Sequence, residues 1–244
     1  TTARILAKAI NCEKKSSFEP CNKCNSCLEI MAQKSIDLIE IDAASHTGVE
    51  MVREVIIETA RLSPARLKFK VFIIDEAHML SDPAWNALLK ILEEPPSHVM
   101  FILATTEFHE VPATILSRCQ RFDFKRLSVA DLIGRLQDIL KKEKRKVDDE
   151  AIIRIARLAD GSVRDAESIL EQILTLEGKA ISLEQASVLL PKSSLGAALG
   201  FLEAVFGGDA RAGIESLDLQ VNDGVDLSQF SRDCLELVRQ AILV

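Results

Sequence analysis

The chain predicts an α/β protein: a parallel sheet covered by helices, followed by an all-helical portion. Three observations predict it. Short apolar runs alternate with helix-period segments through the first half, as in βαβ units. The run VFIID (71–75) is continuously apolar and ends in an acid, as a strand buried on both faces does. From about residue 127 the strand signal disappears and only helical patterns follow.

The elements follow in order. ARILAKAIN (3–11) reads as a helix with no capping residue or turn ahead of it, so upstream sequence is expected. Residues 13–27 are polar, turn-rich and cysteine-bearing. LIEIDA (38–43) alternates as a strand does. SHTGVEMVREVIIETAR predicts a helix with Val49, Val52, Val55, Ile56 and Ala60 on one face. In SDPAWNALLKILEEPP, Ser81 or Asp82 can cap and Pro83 sits near the first turn. Trp85, Leu88, Leu89 and Leu92 form that helix's apolar stripe, and Pro95 and Pro96 stop it. VMFILATT (99–106) is a further buried strand. Helices are expected at 128–144, 149–159, 163–177, 182–190, 195–206, 209–219 and 226–243, with a hinge or linker at Pro191 and the Lys-Ser-Ser after it.

The 244 residues suffice for one large domain or two to three smaller ones, and 48% hydrophobic content allows a sizeable core. No apolar run approaches the ~20 residues of a membrane helix. The first residues have no separate apolar region or small-residue cleavage site, so a cytoplasmic protein is expected. A net charge of −7 argues against nucleic-acid binding through bulk positive charge. The run KKEKRK (141–146) reads as a solvated helix end. With one Trp and no Tyr, a base-stacking platform is not expected.

Four of the six cysteines, Cys12, Cys21, Cys24 and Cys27, crowd into a C-x8-C-x2-C-x2-C pattern. Two successive CxxC steps bring thiolates onto one ion, and four thiolates satisfy tetrahedral zinc with no open position. A structural Zn2+ site is therefore expected; the plain alternative is a set of reduced thiols. Cys119 and Cys234 read as small core residues.

Asp75 and Glu76 end a hydrophobic strand, at the sheet edge where open α/β folds bind ligands. The first acid can hold Mg2+ and the second can activate a water; two exposed acids is the plain alternative. Thr105 and Thr106 end the next strand. Arg118, in Ser117-Arg118-Cys119, could reach a neighbouring subunit's phosphate. Arg164 lies in the first turn of a helix, where a cation is unfavourable unless an anion is near. For either arginine a surface salt bridge is the alternative. Ser45 to Arg53 offers a helix start suited to backbone phosphate, while simple capping by Ser45 or Thr47 serves equally well.

The segments IDAASHTGVEMVRE, VFIIDEAHMLSDPAWNALLKILEEPP, FILATTEFHEVPATILSRCQRFDFK and DGSVRDAESILEQ resemble the gamma/tau family of bacterial DNA polymerase III clamp-loader subunits, a branch of the AAA+ ATPases. The cysteine pattern is similar to that family's zinc module, at the matching place. The resemblance implies a RecA-like domain (1–126) with a zinc module (12–27), a helical lid (127–190) and the start of a helical collar (191–244). By motif it makes Asp75 and Glu76 the Walker B pair, Thr106 sensor 1, Arg118 the arginine finger acting in trans, and Arg164 sensor 2. It implies ATP and Mg2+ as ligands. Other clamp-loader subunits, the sliding clamp and primed DNA are the implied partners, with no membrane.

Members of that family carry GxxGxGKT just before the helix matching ARILAK; no such motif occurs in these residues, and the collar looks cut short. A fragment that binds ATP poorly is expected. The alternative is the delta-prime subunit, a non-hydrolysing stator that also carries a zinc module and an SRC motif; the Asp75-Glu76 pair and GSVRDA speak for gamma/tau.

Overall fold

The computed structural model describes residues 1–14, 18–45, 47–176, 178, 180–190, 195–222, 224–225 and 227–243. The chain divides into two compact units, Thr1–Asp123 and Phe124–Val244.

The first unit is a three-layer α/β structure. Strands β1 (Leu38–Asp42), β2 (Lys70–Asp75) and β3 (Val99–Leu103) form a parallel sheet in the order β1-β2-β3. Alternation along β2 distributes the core between two faces. Val71 and Ile73 pack with Ala7 of helix α1 (Thr2–Asn11). Phe72 and Ile74 pack with Val52, Ile56, Trp85 and Leu88 on the other face. Trp85 and Leu88 belong to α5 (Asp82–Glu93), whose proline lies in the first turn as expected.

The expected helix over 45–61 begins later and is not uniformly α. A short α3 (Val49–Met51) runs into a π-helical stretch, Val52–Glu58, and closes with α4 (Thr59–Arg61). In i→i+5 bonding a turn holds more than 3.6 residues, so a spacing of four repeats the face. Val52, Ile56 and Ala60 are fully buried, whereas Val55 is turned outward and exposed, contrary to the expected stripe.

The cysteine loop also differs from expectation. Residues Asn25–Met31 form a seven-residue helix, α2, which Cys24 precedes. It is pinned to its surroundings by Glu13, whose carboxylate accepts from Ser26 N (3.1 Å) and Ser26 Oγ (2.8 Å). Lys8 Nζ donates to Asn22 Oδ1 at 2.8 Å, and Arg66 pairs with Glu29 at 3.0 Å. The strand expected over 99–106 stops at Leu103, leaving Thr105 and Thr106 in the following turn. A short α6 (Ala113–Leu116) follows.

The second unit is helical, with α7 (Val129–Glu143), α8 (Asp149–Leu158) and α9 (Val163–Leu174) around one apolar core. Ser128, Asp148 and Ser162 cap these helices through their side chains. Strand structure does not vanish here: β4 (Lys146–Val147) and β5 (Ala180–Ile181) form a two-residue parallel pair. Such a pair is too short to show a period of two. The helix expected over 182–190 is only Leu183–Ala186, α10, opened by a Ser182–Gln185 capping box. Helices α11 (Leu195–Phe206), α12 (Ala210–Asn222) and α13 (Leu227–Leu243) gather around Ala198, Phe230 and Cys234. The hinge expected at Pro191–Ser194 lies outside the described residues. No helix among the described residues is long and apolar enough to cross a membrane.

Candidate active site and metal centre

The carboxyl edge of the sheet collects polar groups from three strands. Asp42 and Asp75 end β1 and β2 in register. Past Asp75 the chain turns through Glu76, which is left-handed at φ 47°. That conformation is costly for a residue with a Cβ, roughly 1–2 kcal/mol. Glu76 N donates to Asp75 Oδ1 at 3.1 Å, and Ala77 N donates to the Ala104 carbonyl at 2.9 Å, so the turn is tied to the end of β3. Across it, Thr106 Oγ1 donates to Glu76 Oε2 at 3.3 Å. The turn thus places Asp75, Glu76 and Thr106 in one cluster, with Glu76 hydrogen-bonded to both of the others.

His78 completes this group and was not singled out in the sequence, although it stands in VFIIDEAH. A single 3-10 turn, Ala77–Met79, carries it back under Glu76. Its Nδ1 lies 2.9 Å from Thr105 Oγ1 and 3.6 Å from Glu76 Oε2, in a mostly buried position. Thr105 Oγ1 also accepts from Glu107 N at 3.1 Å. A carboxylate that accepts from a hydroxyl, with an imidazole close by and a second acid next to it, is a constellation that can orient and deprotonate a water.

Ser45 and Thr47 do not cap the helix that follows. Gly48 is the capping residue and makes no side-chain bond. Ser45 Oγ instead donates to Asp42 Oδ2 at 2.8 Å, closing a local turn. Arg53 is exposed within the π-helical stretch.

Arg118 lies just beyond α6, at an exposed position. It pairs with Glu93 at the end of α5 and donates to the Thr114 carbonyl and Ser117 Oγ. Glu93 and Ser117 are therefore further members of this cluster. Arg164 is exposed in the first turn of α9, with no ion pair to another described residue. The backbone before it is unusual. Gly161 adopts φ +81°, and a Cβ there would meet Arg126 Cβ at 2.5 Å. Only glycine fits this approach, which fixes the entry to α9.

The four clustered cysteines converge. Their Sγ atoms all lie within 4.8 Å of one another, with Cys12, Cys24 and Cys27 buried and Cys21 half-buried. Tetrahedral thiolates bound at about 2.3 Å would be about 3.8 Å apart, so the cluster fits a metal ion with little movement. Cys21 N donates to Cys12 Sγ at 3.4 Å and Cys24 N to Cys21 Sγ at 3.3 Å. The N–H groups of Lys23 and Cys24 pull the Cys21 thiol down to about 6. Burial, together with the neighbouring Cys24 thiol, pushes Cys27 up to about 12. Close sulfurs cannot all ionise without a cation among them. Cys119 and Cys234 pack against apolar cores, and burial raises both thiols.

Comparison with known proteins identifies the chain's relatives. Residues 1–128 match the family described as DNA polymerase III, delta subunit, and residues 132–179 match the DNA polymerase III clamp loader subunit, ATPase lid domain. The chain is 42% identical over 238 residues to DNA polymerase III subunit gamma/tau of Mycoplasma genitalium, covering 97% of this chain and 40% of that protein. It is 40% identical over 243 residues to DNA polymerase III subunit tau of Bacillus subtilis, covering 100% of this chain and 43% of that protein. It thus spans about two fifths of the length of these relatives. Among solved structures, Thermotoga maritima RuvB superposes with a TM-score of 0.53 at 15% identity, over 84% of this chain and 71% of that one; this likeness concerns the AAA+ fold alone. With residues 1–128 and 132–179 matched by family models and about 40% identity along its whole length, the chain belongs to the gamma/tau family of DNA polymerase III clamp-loader subunits.

Proposed function

We propose that this chain is the ATPase core of a clamp-loader motor subunit, which uses ATP to place a sliding clamp on primed DNA. The observation that carries the reading is Glu76. It stands in a left-handed turn at the carboxyl edge of β2, beside Asp75, with Thr106 Oγ1 on its carboxylate. In this reading Asp75 holds Mg2+, which would neutralise charge on the nucleotide phosphates. Glu76 orients a water and takes its proton, while Thr106 positions that carboxylate. Arg118 reaches the γ-phosphate bound to a neighbouring subunit, and Arg164 serves the nucleotide of its own chain.

The partition into a RecA-like domain (1–126), a lid (127–190) and the start of a collar (191–244) belongs to the same proposal. So does the identity of the metal: four thiolates with no carboxylate or histidine among them suit structural Zn2+. Other clamp-loader subunits, the clamp and primed DNA are the proposed partners. These 244 residues hold no GxxGxGKT motif, whose amides and lysine would cradle the phosphates, so weak ATP binding is the expected behaviour of these residues on their own.

The test is ATP hydrolysis by the full-length protein in its assembled complex. Glu76→Gln should lower turnover by about 10²-fold or more while ATP still binds. Full turnover in that variant would refute the role of Glu76 and favour the delta-prime-like reading, in which the site is inert.

A further inference from the structure

The guanidinium of Arg118 is almost fully occupied by its own chain. Nε (3.0 Å) and Nη2 both donate to Glu93 Oε1. Nη1 donates to the Thr114 carbonyl and, at 3.1 Å, to Ser117 Oγ. An arginine has five N–H donors, so four are engaged and one on Nη2 is left. The Nε and Nη2 edge is a fork that grips a carboxylate or phosphate with two parallel bonds. Glu93 occupies that edge. A phosphate presented by another subunit would receive only one N–H from the arrangement seen here.

We propose that Glu93 is a positioning residue that holds Arg118 in reserve, and that assembly on the clamp and DNA releases it. This rests on the reading of Arg118 as the residue that acts in trans. Two features suit a contact that opens and closes. The paired side chains are 32% and 47% exposed, so Glu93 keeps much of its hydration when the pair opens. Glu93 is the last residue of α5 and Arg118 follows α6, so each sits at a helix end and not within one. The contacts to Thr114 and Ser117 lie within α6 and its exit, and they leave the Glu93 contact as the one that reaches another element.

The experiment measures ATP hydrolysis by the full-length protein in the assembled clamp loader, without clamp or DNA. Wild type, Glu93→Gln, Glu93→Asp, Arg118→Ala and the double variant Glu93→Gln/Arg118→Ala are compared. Glu93→Gln should raise kcat about two- to fivefold, the range an exposed ion pair allows, with KM unchanged. Glu93→Asp, which keeps the charge, should stay near wild type. The double variant should be as slow as Arg118→Ala. Glu93→Gln at or below the wild-type rate, with Arg118→Ala slow, overturns the reserve contact and leaves the trans role intact. Arg118→Ala at the wild-type rate overturns the trans reading and the reserve contact with it. Thermal melting of each variant checks folding, and Glu93→Ser replaces Gln if the latter lowers the melting temperature.

Discussion

Asp37 lies one residue before β1 and is 1% exposed, yet no sequence motif marks it. Burial by itself would favour its neutral form. Three backbone N–H groups outweigh that: Leu67 at 2.9 Å, Ala65 at 2.9 Å and Arg66 at 2.7 Å all donate to the carboxylate, and its pKa falls below the ordinary value. The charge fastens the approach to β2 onto the start of β1. A depressed folded-state pKa means that the stabilisation is present above the unfolded value of about 3.9 and is lost as pH falls through the lower folded value. Asp37→Asn puts a neutral amide against three donors and should cost about 2–3 kcal/mol in urea unfolding at pH 7. The gap between variant and wild type should narrow below pH 4. Equal midpoints at pH 7 would show that these bonds contribute nothing.

At the scale of elements, what the sequence reveals depends on how much periodicity a segment can hold. The runs VFIID and VMFIL each became a strand because both faces of the sheet are covered, and α5 matched its proline and apolar stripe. The convergence of the four cysteines was legible because cysteine chemistry needs only spacing. The π-helical stretch was not, since its Val52, Ile56 and Ala60 spacing also suits an ordinary helix. The partners of Arg118 and the place of His78 were missed because they arise from tertiary approach: Glu93 is 25 residues from Arg118 and Thr105 is 27 from His78. Helix α2 shows the same limit. Seven residues are too few to hold a helix in water without outside support, so its stability comes from Glu13, Arg66 and the thiol cluster. Stripping metal from the protein with a strong chelator should therefore speed amide exchange across 12–31 and leave α8 and α9 unchanged. Metal analysis of the untreated protein should give about one zinc per chain. Unchanged exchange, or no bound metal, would count against a structural centre.

On the scale of the whole molecule, the two units are joined through residues that are exposed and lie outside regular structure, 120–127. Three basic side chains there offer trypsin a choice, and the structure ranks them. Arg121 is engaged in its own unit, stacked 3.7 Å over the Phe108 ring and paired with Asp123 at 2.7 Å. Arg126 is held in the second unit by Asp160, through both the side chain and the backbone carbonyl, and Leu127 N donates to the Gly161 carbonyl at 3.1 Å. Lys125, between them, has no described hydrogen bond or ion pair. A protease must draw several residues into its active site in extended form, so engaged residues resist it. Brief trypsin treatment should cut after Lys125 before Arg121 or Arg126, as read by intact-mass analysis. Each unit has its own apolar core, so both products should keep their helical circular dichroism after separation. First cutting inside α7, α8 or α9, or loss of helix in either product, would show that the units depend on each other for folding.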